Sequence, residues 1–209
     1  MEDNGVEESA FMSEELSIGR VHWRDPLAAD YLALTIANLP LAARVTVVCV
    51  GTDRSTGDCL GPLVGSNLTR YVETGHLSPG VTVFGTLDEP VHALNLPEYA
   101  RKLSHPDYRT QTVIAIDACL GKSRNVGYIS VKRGPLLPGT GVNKSLPVIG
   151  DYHIIGVVNV SGFMEHVVLQ NTRLSLVVSM AEVITKSLVA ALSVGPARRE
   201  AALSLPLPF

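Results

Sequence analysis

The 209-residue sequence has no excess of charge of one sign. Its 17 Lys and Arg residues nearly balance 20 Asp and Glu residues, so the formal net charge is -3, and the basic residues do not gather into one block. A protein without a basic surface has no electrostatic attraction for a phosphate backbone. The composition therefore predicts no nucleic-acid partner.

Cysteine is also scarce. The chain contains 3 cysteines, Cys49, Cys59 and Cys119, and they do not form a CxxC motif. Three thiols cannot all pair within one chain, and their spacing fits neither a zinc site nor a redox pair. We expect free thiols, and nothing in the sequence predicts a cofactor.

The sequence has neither a secretory signal nor an uninterrupted membrane-spanning run. Its N-terminus is acidic and polar, without the basic segment and apolar core of a signal peptide. The apolar run at 45–50 is too short for a span of about 20 residues, and the one at 175–191 is interrupted by Glu182 and Lys186. We therefore expect a cytoplasmic protein without a membrane partner.

The hydrophobic content of 46% is enough for a sizeable core in one domain. Residues 1–19 combine like charges with Gly, Ser and Asn, which predicts a disordered tail. The domain is expected over 20–193, followed by an irregular tail at 194–209. Exposed apolar surface on the last predicted helix would be compatible with a homo-oligomer.

Short β-branched runs alternate with segments of helical spacing along the predicted domain. The predicted strands are 45–50, 81–85, 112–117, 127–132 and 153–160, and the predicted helices are 25–34, 60–71, 90–103 and 171–192. Pro97 is expected to break or kink the third of these helices. This alternation predicts an α/β protein in which a doubly wound, mostly parallel sheet has helices on both faces.

Two acidic residues follow predicted strands at the points where an open parallel sheet collects its functional side chains. Asp58 lies in a polar, glycine-rich loop at 51–62, which also contains Asp53 and Arg54. Asp117 comes directly after the apolar run at 113–116. We expect Asp58 and Asp117 to lie at the carboxyl ends of neighbouring strands, at the centre of any active site.

Each of these residues has a competing structural explanation. Asp58 precedes a predicted helix and could be its N-cap, and Asp53 could stabilise a turn. Asp117 is harder to explain in this way, because a carboxylate at the end of an apolar strand costs free energy unless it is paired or near water. The thiols of Cys59 and Cys119 are a further alternative as nucleophiles, although no histidine is near either of them in the sequence.

A phosphate-binding loop is disfavoured at the same position. The order of strand, glycine-rich loop and helix is the order found in such sites. However, the segment 51–62 matches neither the GxGxxG nor the P-loop pattern, and the charge of Asp58 would repel an anion.

The segment 51–65, Gly-Thr-Asp-Arg-Ser-Thr-Gly-Asp-Cys-Leu-Gly-Pro-Leu-Val-Gly, resembles the YyaC family of sporulation proteins from spore-forming Firmicutes. The segments 116–121 and 138–144 share the resemblance, which covers roughly residues 20–193. That family looks like a shortened relative of the germination protease, which degrades small acid-soluble spore proteins. It shares its fold with hydrogenase maturation endopeptidases. The resemblance implies a three-layer α/β/α sandwich.

The resemblance also implies a catalytic pair. In the germination protease, motifs of the form D-A-L-G-P and I-D-A-L each supply an aspartate that is thought to be catalytic, and they match Asp58 and Asp117 here. This implies an aspartate-dependent endopeptidase that cleaves a protein substrate in the sporulating cell. Two carboxylates can do this chemistry when one accepts a proton from water and the other donates one. We assign Asp58 as base and Asp117 as acid, although either order fits a coupled pair.

In the hydrogenase maturation enzymes the corresponding acidic positions bind a metal together with a histidine. A metal site of Asp58, Asp117 and His166, or with His153 instead, is therefore an alternative. A lone histidine at the start of a strand or helix is more often a surface or packing residue, and the nearer match to the germination protease disfavours a metal.

The loop at 134–143 contains several glycines and prolines, so it can be ordered without regular structure. We expect it to shape the substrate cleft rather than merely to connect two strands. The expected substrate contacts are Asp53, Arg54, Thr140, Gly141 and Asn143. In the remaining alternative the chain is a non-catalytic sporulation protein that binds a peptide or partner in the same crevice.

Overall fold

The computed structural model describes residues 17–138 and 146–193. The strands are β1, Ser17–His22; β2, Val45–Cys49; β3, Val81–Phe84; β4, Thr112–Gly121; β5, Tyr128–Arg133; and β6, Tyr152–Val160. The helices are α1, Ala28–Ala37; α2, Leu60–Glu73; α3, Leu96–Leu103; α4, Pro106–Arg109; α5, Glu165–Gln170; and α6, Leu174–Leu192. Short 3-10 turns occupy Gly57–Cys59 and Ser123–Asn125.

The strands form one sheet in the order β1-β5-β6-β4-β2-β3. The four strands from β6 to β3 are parallel, whereas β5 and β1 are antiparallel additions at one edge. Every residue of β2 and the first half of β4 are buried, as their continuous apolar runs predict for central parallel strands.

Helices cover both faces of the sheet, which confirms the predicted α/β/α architecture. On the first face α1, α2 and α6 enclose the larger core, with side chains such as Leu68, Ile116 and Met180. On the second face α3 lies over a smaller core that contains Leu96 and Ala115. Apolar area removed from water on the two faces is the main contribution to stability.

Helix α2 approaches the sheet closely at Gly65. A Cβ atom on this residue would overlap the backbone oxygen of Gly85, which follows β3. The absence of a side chain therefore fixes how near α2 lies to the carboxyl ends of the strands.

Helix α6 is long and apolar enough to cross a membrane by length and composition alone. It lies between α1 and α2 and buries Val177, Met180, Ile184 and Leu188 against them and the sheet. This packing accounts for its apolar residues.

Several boundaries differ from the sequence-based prediction. Strand β1 begins at Ser17, inside the segment predicted to be a tail, and it was not predicted because an edge strand paired only with β5 is largely polar. Strand β5 is antiparallel, and β4 continues past Asp117. The remaining predicted tails, 1–16 and 194–209, lie outside the described residues.

The helices also differ from prediction at their first turns. Pro97 does not break α3, because it lies in the first turn, where a missing N–H is tolerated. Helix α1 begins at Ala28 rather than Asp25, since the Asp25 carboxylate accepts a hydrogen bond from the Leu27 N–H at 2.9 Å in a preceding turn. The predicted helix 171–192 is α6 with a later start, and α5 was not predicted.

Candidate active site

The lengths of two neighbouring strands determine the position of Asp117. Strand β2 ends at Cys49, which pairs with Ile116, whereas β4 continues alongside β6 as far as Gly121. Asp117 is therefore the first residue of β4 beyond the end of β2, and it does not terminate the strand as predicted. Alternation along β4 places its side chain on the second face, the face of Ala115.

The loop after β2 brings Asp58 to the same place. The Val50 N–H donates to the Ile116 carbonyl at 2.7 Å, and the chain then turns at Gly51, whose φ of +145° favours glycine. The Thr52 N–H donates back to the Asp58 carbonyl at 3.2 Å. The loop thus closes on itself, and the 3-10 turn that contains Asp58 packs against β4.

Asp58 is partly buried and does not cap the following helix. No side-chain capping bond is present at the start of α2 or of the 3-10 turn. Burial raises the pKa of Asp58, whereas the Ser55 hydroxyl and the nearby charge of His166 lower it. The Ser55 hydroxyl itself is buried, and within the described residues no atom meets full hydrogen-bond geometry with it, so its contact with Asp58 is a loose one. The structure therefore disfavours the N-cap interpretation.

Asp117 has the more strongly shifted carboxyl group. Burial raises its pKa to about 8, a hydrogen bond from the Ala118 N–H lowers it, and repulsion from Asp58 raises it further. The Ala118 N–H lies 2.8 Å from Oδ1 of Asp117. At neutral pH Asp117 is consequently the carboxyl that keeps a proton, beside Asp58.

Helix α5 is the element of the site that the sequence did not predict. It packs against the 3-10 turn at Gly57–Cys59, and it places His166 where its charge acts on Asp58. Asn159 at the end of β6 donates to Thr172 Oγ1 at 3.2 Å, which ties the far end of this helix to the sheet. The short segment 165–170 has no buried residue, so no apolar periodicity could reveal it.

The predicted substrate-contacting residues fall into two groups. Asp53 and Arg54 are exposed on the same loop as Asp58. The predicted residues Thr140, Gly141 and Asn143 lie outside the described residues. The two arms of their loop do pair, with Leu136 N–H donating to the Ile149 carbonyl at 2.8 Å, and they pack over the second face, where Asp117 also points.

The geometry disfavours the metal alternative. Over residues 17–138 and 146–193, no three or more His, Cys, Asp or Glu side chains are grouped so that they could hold a metal ion. His166 is exposed, with its Nε2 atom 3.1 Å from Gln170 Nε2. His153 is buried and its Nδ1 atom lies 2.9 Å from the Gly134 carbonyl, so it is a packing residue.

The thiols next to the aspartates are poor nucleophiles. Burial raises the pKa of Cys119 to about 12, with a further contribution from Asp117. Burial also raises the pKa of Cys59, and the charges of Asp53 and Asp58 add to that shift. Both sulfurs remain protonated at neutral pH, whereas a nucleophilic cysteine needs its thiolate.

The raised pKa of Asp117 predicts how stability depends on pH. An unfolded aspartate ionises near pH 4, whereas the folded one keeps its proton to about pH 8. Because the folded chain binds this proton more tightly than the unfolded chain, the contribution of Asp117 to the free energy of unfolding is largest below about pH 4. It declines as the pH rises and is lost above about pH 8. We expect the melting temperature of Asp117→Asn to fall less than that of the parent chain between pH 5 and pH 8, by calorimetry. The control Asp30→Asn, at an exposed position of α1, should follow the parent curve; if Asp117→Asn also follows it, the pKa of Asp117 is not raised in the folded chain.

The fold and the site together define an α/β protein with two interacting carboxyl groups at the carboxyl ends of its parallel strands. The chain belongs to the family described as "Protein of unknown function (DUF1256)", whose model matches residues 21–187. It is 52% identical over 144 residues to "Uncharacterized protein YyaC" of Bacillus subtilis (strain 168), a match that covers 69% of this chain and 67% of that protein. The resemblance found in the sequence is thereby confirmed. Among solved structures, the NiFe hydrogenase maturation protease HycI of Thermococcus kodakarensis KOD1 is similar with a TM-score of 0.49 and 16% identity, covering 72% of this chain and 93% of that one.

Proposed function

We propose that this protein is an aspartate-dependent endopeptidase of the sporulating cell that cleaves a protein substrate. The observation that carries the proposal is the pair formed by Asp117, whose pKa is raised to about 8, and the neighbouring Asp58. Two carboxyl groups whose environments separate their protonation states are the groups that acid–base hydrolysis requires. The match of both residues to the germination protease motifs supports the same reaction.

The environments of the two carboxyls favour one division of roles. Asp117 is held protonated by burial, so it can donate a proton to the leaving nitrogen. Burial raises the pKa of Asp58 as well, but the Ser55 hydroxyl and the His166 charge oppose that rise, so Asp58 is the carboxyl that we assign to accept a proton from the attacking water. The water oxygen bonds to the peptide carbon, the carbon–nitrogen bond breaks, and a proton then passes from Asp58 back to Asp117.

The substrate is expected to lie along the second face of the sheet. Asp117 points to this face, and the paired arms at Leu136 and Ile149 belong to the same apolar cluster as Ala115, which precedes Asp117 by two residues on β4. Thr140, Gly141 and Asn143 lie between the two arms in the sequence, and we propose them as substrate contacts together with Asp53 and Arg54.

A proteome-derived peptide library tests the proposal. The full chain should generate new peptide termini that mass spectrometry detects, and Asp58→Asn should generate none, because no base then activates the water. Asp30→Asn, prepared in the same way, controls for a contaminating protease. Peptides that remain uncut by the parent chain but bind equally to it and to Asp58→Asn would contradict the peptidase proposal and favour a peptide-binding protein.

A further inference from the structure

The loop between β6 and α5 exposes apolar side chains at the carboxyl edge of the sheet. Phe163 is 91% exposed and Met164 is 57% exposed, and Val160 and Val167 on either side of them are exposed as well. Single exposed apolar residues are normal on a protein surface, whereas several in one short segment form a patch of the kind that marks an interaction site. We call the segment 160–167 the apolar rim.

Hydrogen bonds of the loop itself hold the backbone of the apolar rim. The Ser161 N–H donates to the Gly121 carbonyl at 2.8 Å, and the Gly162 N–H donates to Oε1 of Glu165 at 3.4 Å. Met164 has a φ of +57°, and in the described part of the chain it is the only residue other than glycine with a positive φ. Residues with a β-carbon rarely adopt this left-handed conformation, and such outliers concentrate at functional sites.

The apolar rim lies beside the candidate active site. Helix α5 packs so closely against the 3-10 turn that a Cβ atom on Gly57 would lie 2.6 Å from Cδ2 of Leu169. The charge of His166 on the same helix acts on Asp58. Phe163 precedes His166 by three residues, which is a backbone length of at most about 11 Å. An extended peptide with one bond at the carboxyls can therefore reach the rim with a side chain about three residues away.

We infer that Phe163 and Met164 determine the specificity of this site by binding a large apolar side chain of the substrate close to the cleaved bond. The inference rests on the proposed function and names its substrate class, an extended and unfolded protein segment that contains Leu, Phe or similar residues. The affinity comes from apolar area that is removed from water when the side chain binds. The flexible thioether of Met164 can adapt to apolar side chains of different shape.

A lipid surface is the other common partner of an exposed apolar loop. Segments that bind membranes combine apolar residues with Lys and Arg, which are attracted to anionic lipids. The apolar rim contains Glu165 and neither Lys nor Arg. Its charge and its position beside the carboxyls therefore favour a peptide.

Fluorescence anisotropy tests the inference in chains that carry Asp58→Asn, so that bound peptide is not cut. The probe is a labelled peptide in which Gly and Ser residues flank a central Leu-Phe pair, and the comparison peptide has Ser-Ser in place of this pair. We expect the Leu-Phe peptide to bind at least about tenfold more tightly than the Ser-Ser peptide. Adding Phe163→Ser should weaken its binding about tenfold, whereas Phe163→Leu should keep most of the affinity.

Leu34→Ser is the matched control for these variants. Leu34 is also apolar and more than half exposed, but it lies near the end of α1, which leads to the start of β2 at the opposite edge of the sheet. This variant should bind the Leu-Phe peptide unchanged. The melting temperature of Phe163→Ser should equal that of the parent chain, because an exposed ring contributes little to the fold.

Three results would overturn the inference. They are equal binding of the two peptides, full affinity after Phe163→Ser, and a change only in oligomeric state, which size-exclusion chromatography would detect and which would assign the rim to contact between two copies. Peptide cleavage by the parent chain would be unaffected by any of these results, so the proposed function would stand. Conversely, binding that depends on Phe163 without any cleavage by the parent chain would contradict the peptidase and keep the rim as a peptide-binding site.

Discussion

Asp117→Asn should reduce the rate of peptide cleavage by about a thousandfold, the scale of the contribution of a positioned general acid. The amide has nearly the same shape, and it can still accept the hydrogen bond from the Ala118 N–H. It cannot donate a proton to the leaving nitrogen at the required acidity. The measurement is the rate at one cleavage site found with the peptide library, compared among the parent chain, Asp117→Asn and the control Asp30→Asn.

The pH profile of cleavage by the parent chain distinguishes this role from a structural one. Activity should rise at low pH as Asp58 ionises, and it should fall above about pH 8, where Asp117 loses its proton. The residual activity of Asp117→Asn should lack the alkaline fall. An alkaline fall that persists in the variant would assign it to another group, and unchanged activity in the variant would remove Asp117 from the mechanism.

Gly65→Ala should lower the free energy of unfolding by about 3 kcal/mol, at the upper end of the range for overpacked sites. The new methyl group would overlap the Gly85 backbone oxygen, and backbone cannot yield as a flexible side chain can. Helix α2 would have to move outward from the sheet and take the loop that contains Asp58 with it. Urea denaturation gives the midpoint and the slope that are needed for this comparison.

Gly75→Ala is the matched control for this prediction. Gly75 has a φ of +72°, but a Cβ atom there would meet nothing within 4 Å. Its expected loss is therefore conformational only, about 1 kcal/mol. Equal losses for the two variants would show that α2 adjusts freely and that the close approach at Gly65 does not hold it in place.

The parts of the fold that the sequence predicted are those with continuous or periodic apolar residues. Strands β2 and β4 and helices α2 and α6 were recognised because each buries a long run or a stripe. Strand β1 and helix α5 were missed because their residues are mostly exposed and gain order from a neighbour. Helices and strands were therefore predictable from the sequence where they bury apolar residues in a continuous or periodic pattern, rather than from local propensity.

The candidate site likewise contains residues that the sequence indicated and residues that it did not. Asp58 and Asp117 could be singled out from the sequence because each follows an apolar run, Asp58 within the polar loop after it and Asp117 directly, and a carboxylate there needs a partner or water. The contribution of His166 could not, since it depends on where α5 packs rather than on any spacing in the sequence. The sequence also did not predict that β4 extends beyond the end of β2, because the pairing of each strand depends on all the strands of the sheet.

The position of α6 has a consequence for the order in which the protein can become functional during synthesis. This helix is the last element described in the chain, yet it lies between α1 and α2 in the middle of its layer. A nascent chain without α6 still exposes the apolar stripes of both earlier helices, so the layer that supports the Asp58 loop is incomplete. The proposed peptidase activity should therefore be absent until α6 has left the ribosome.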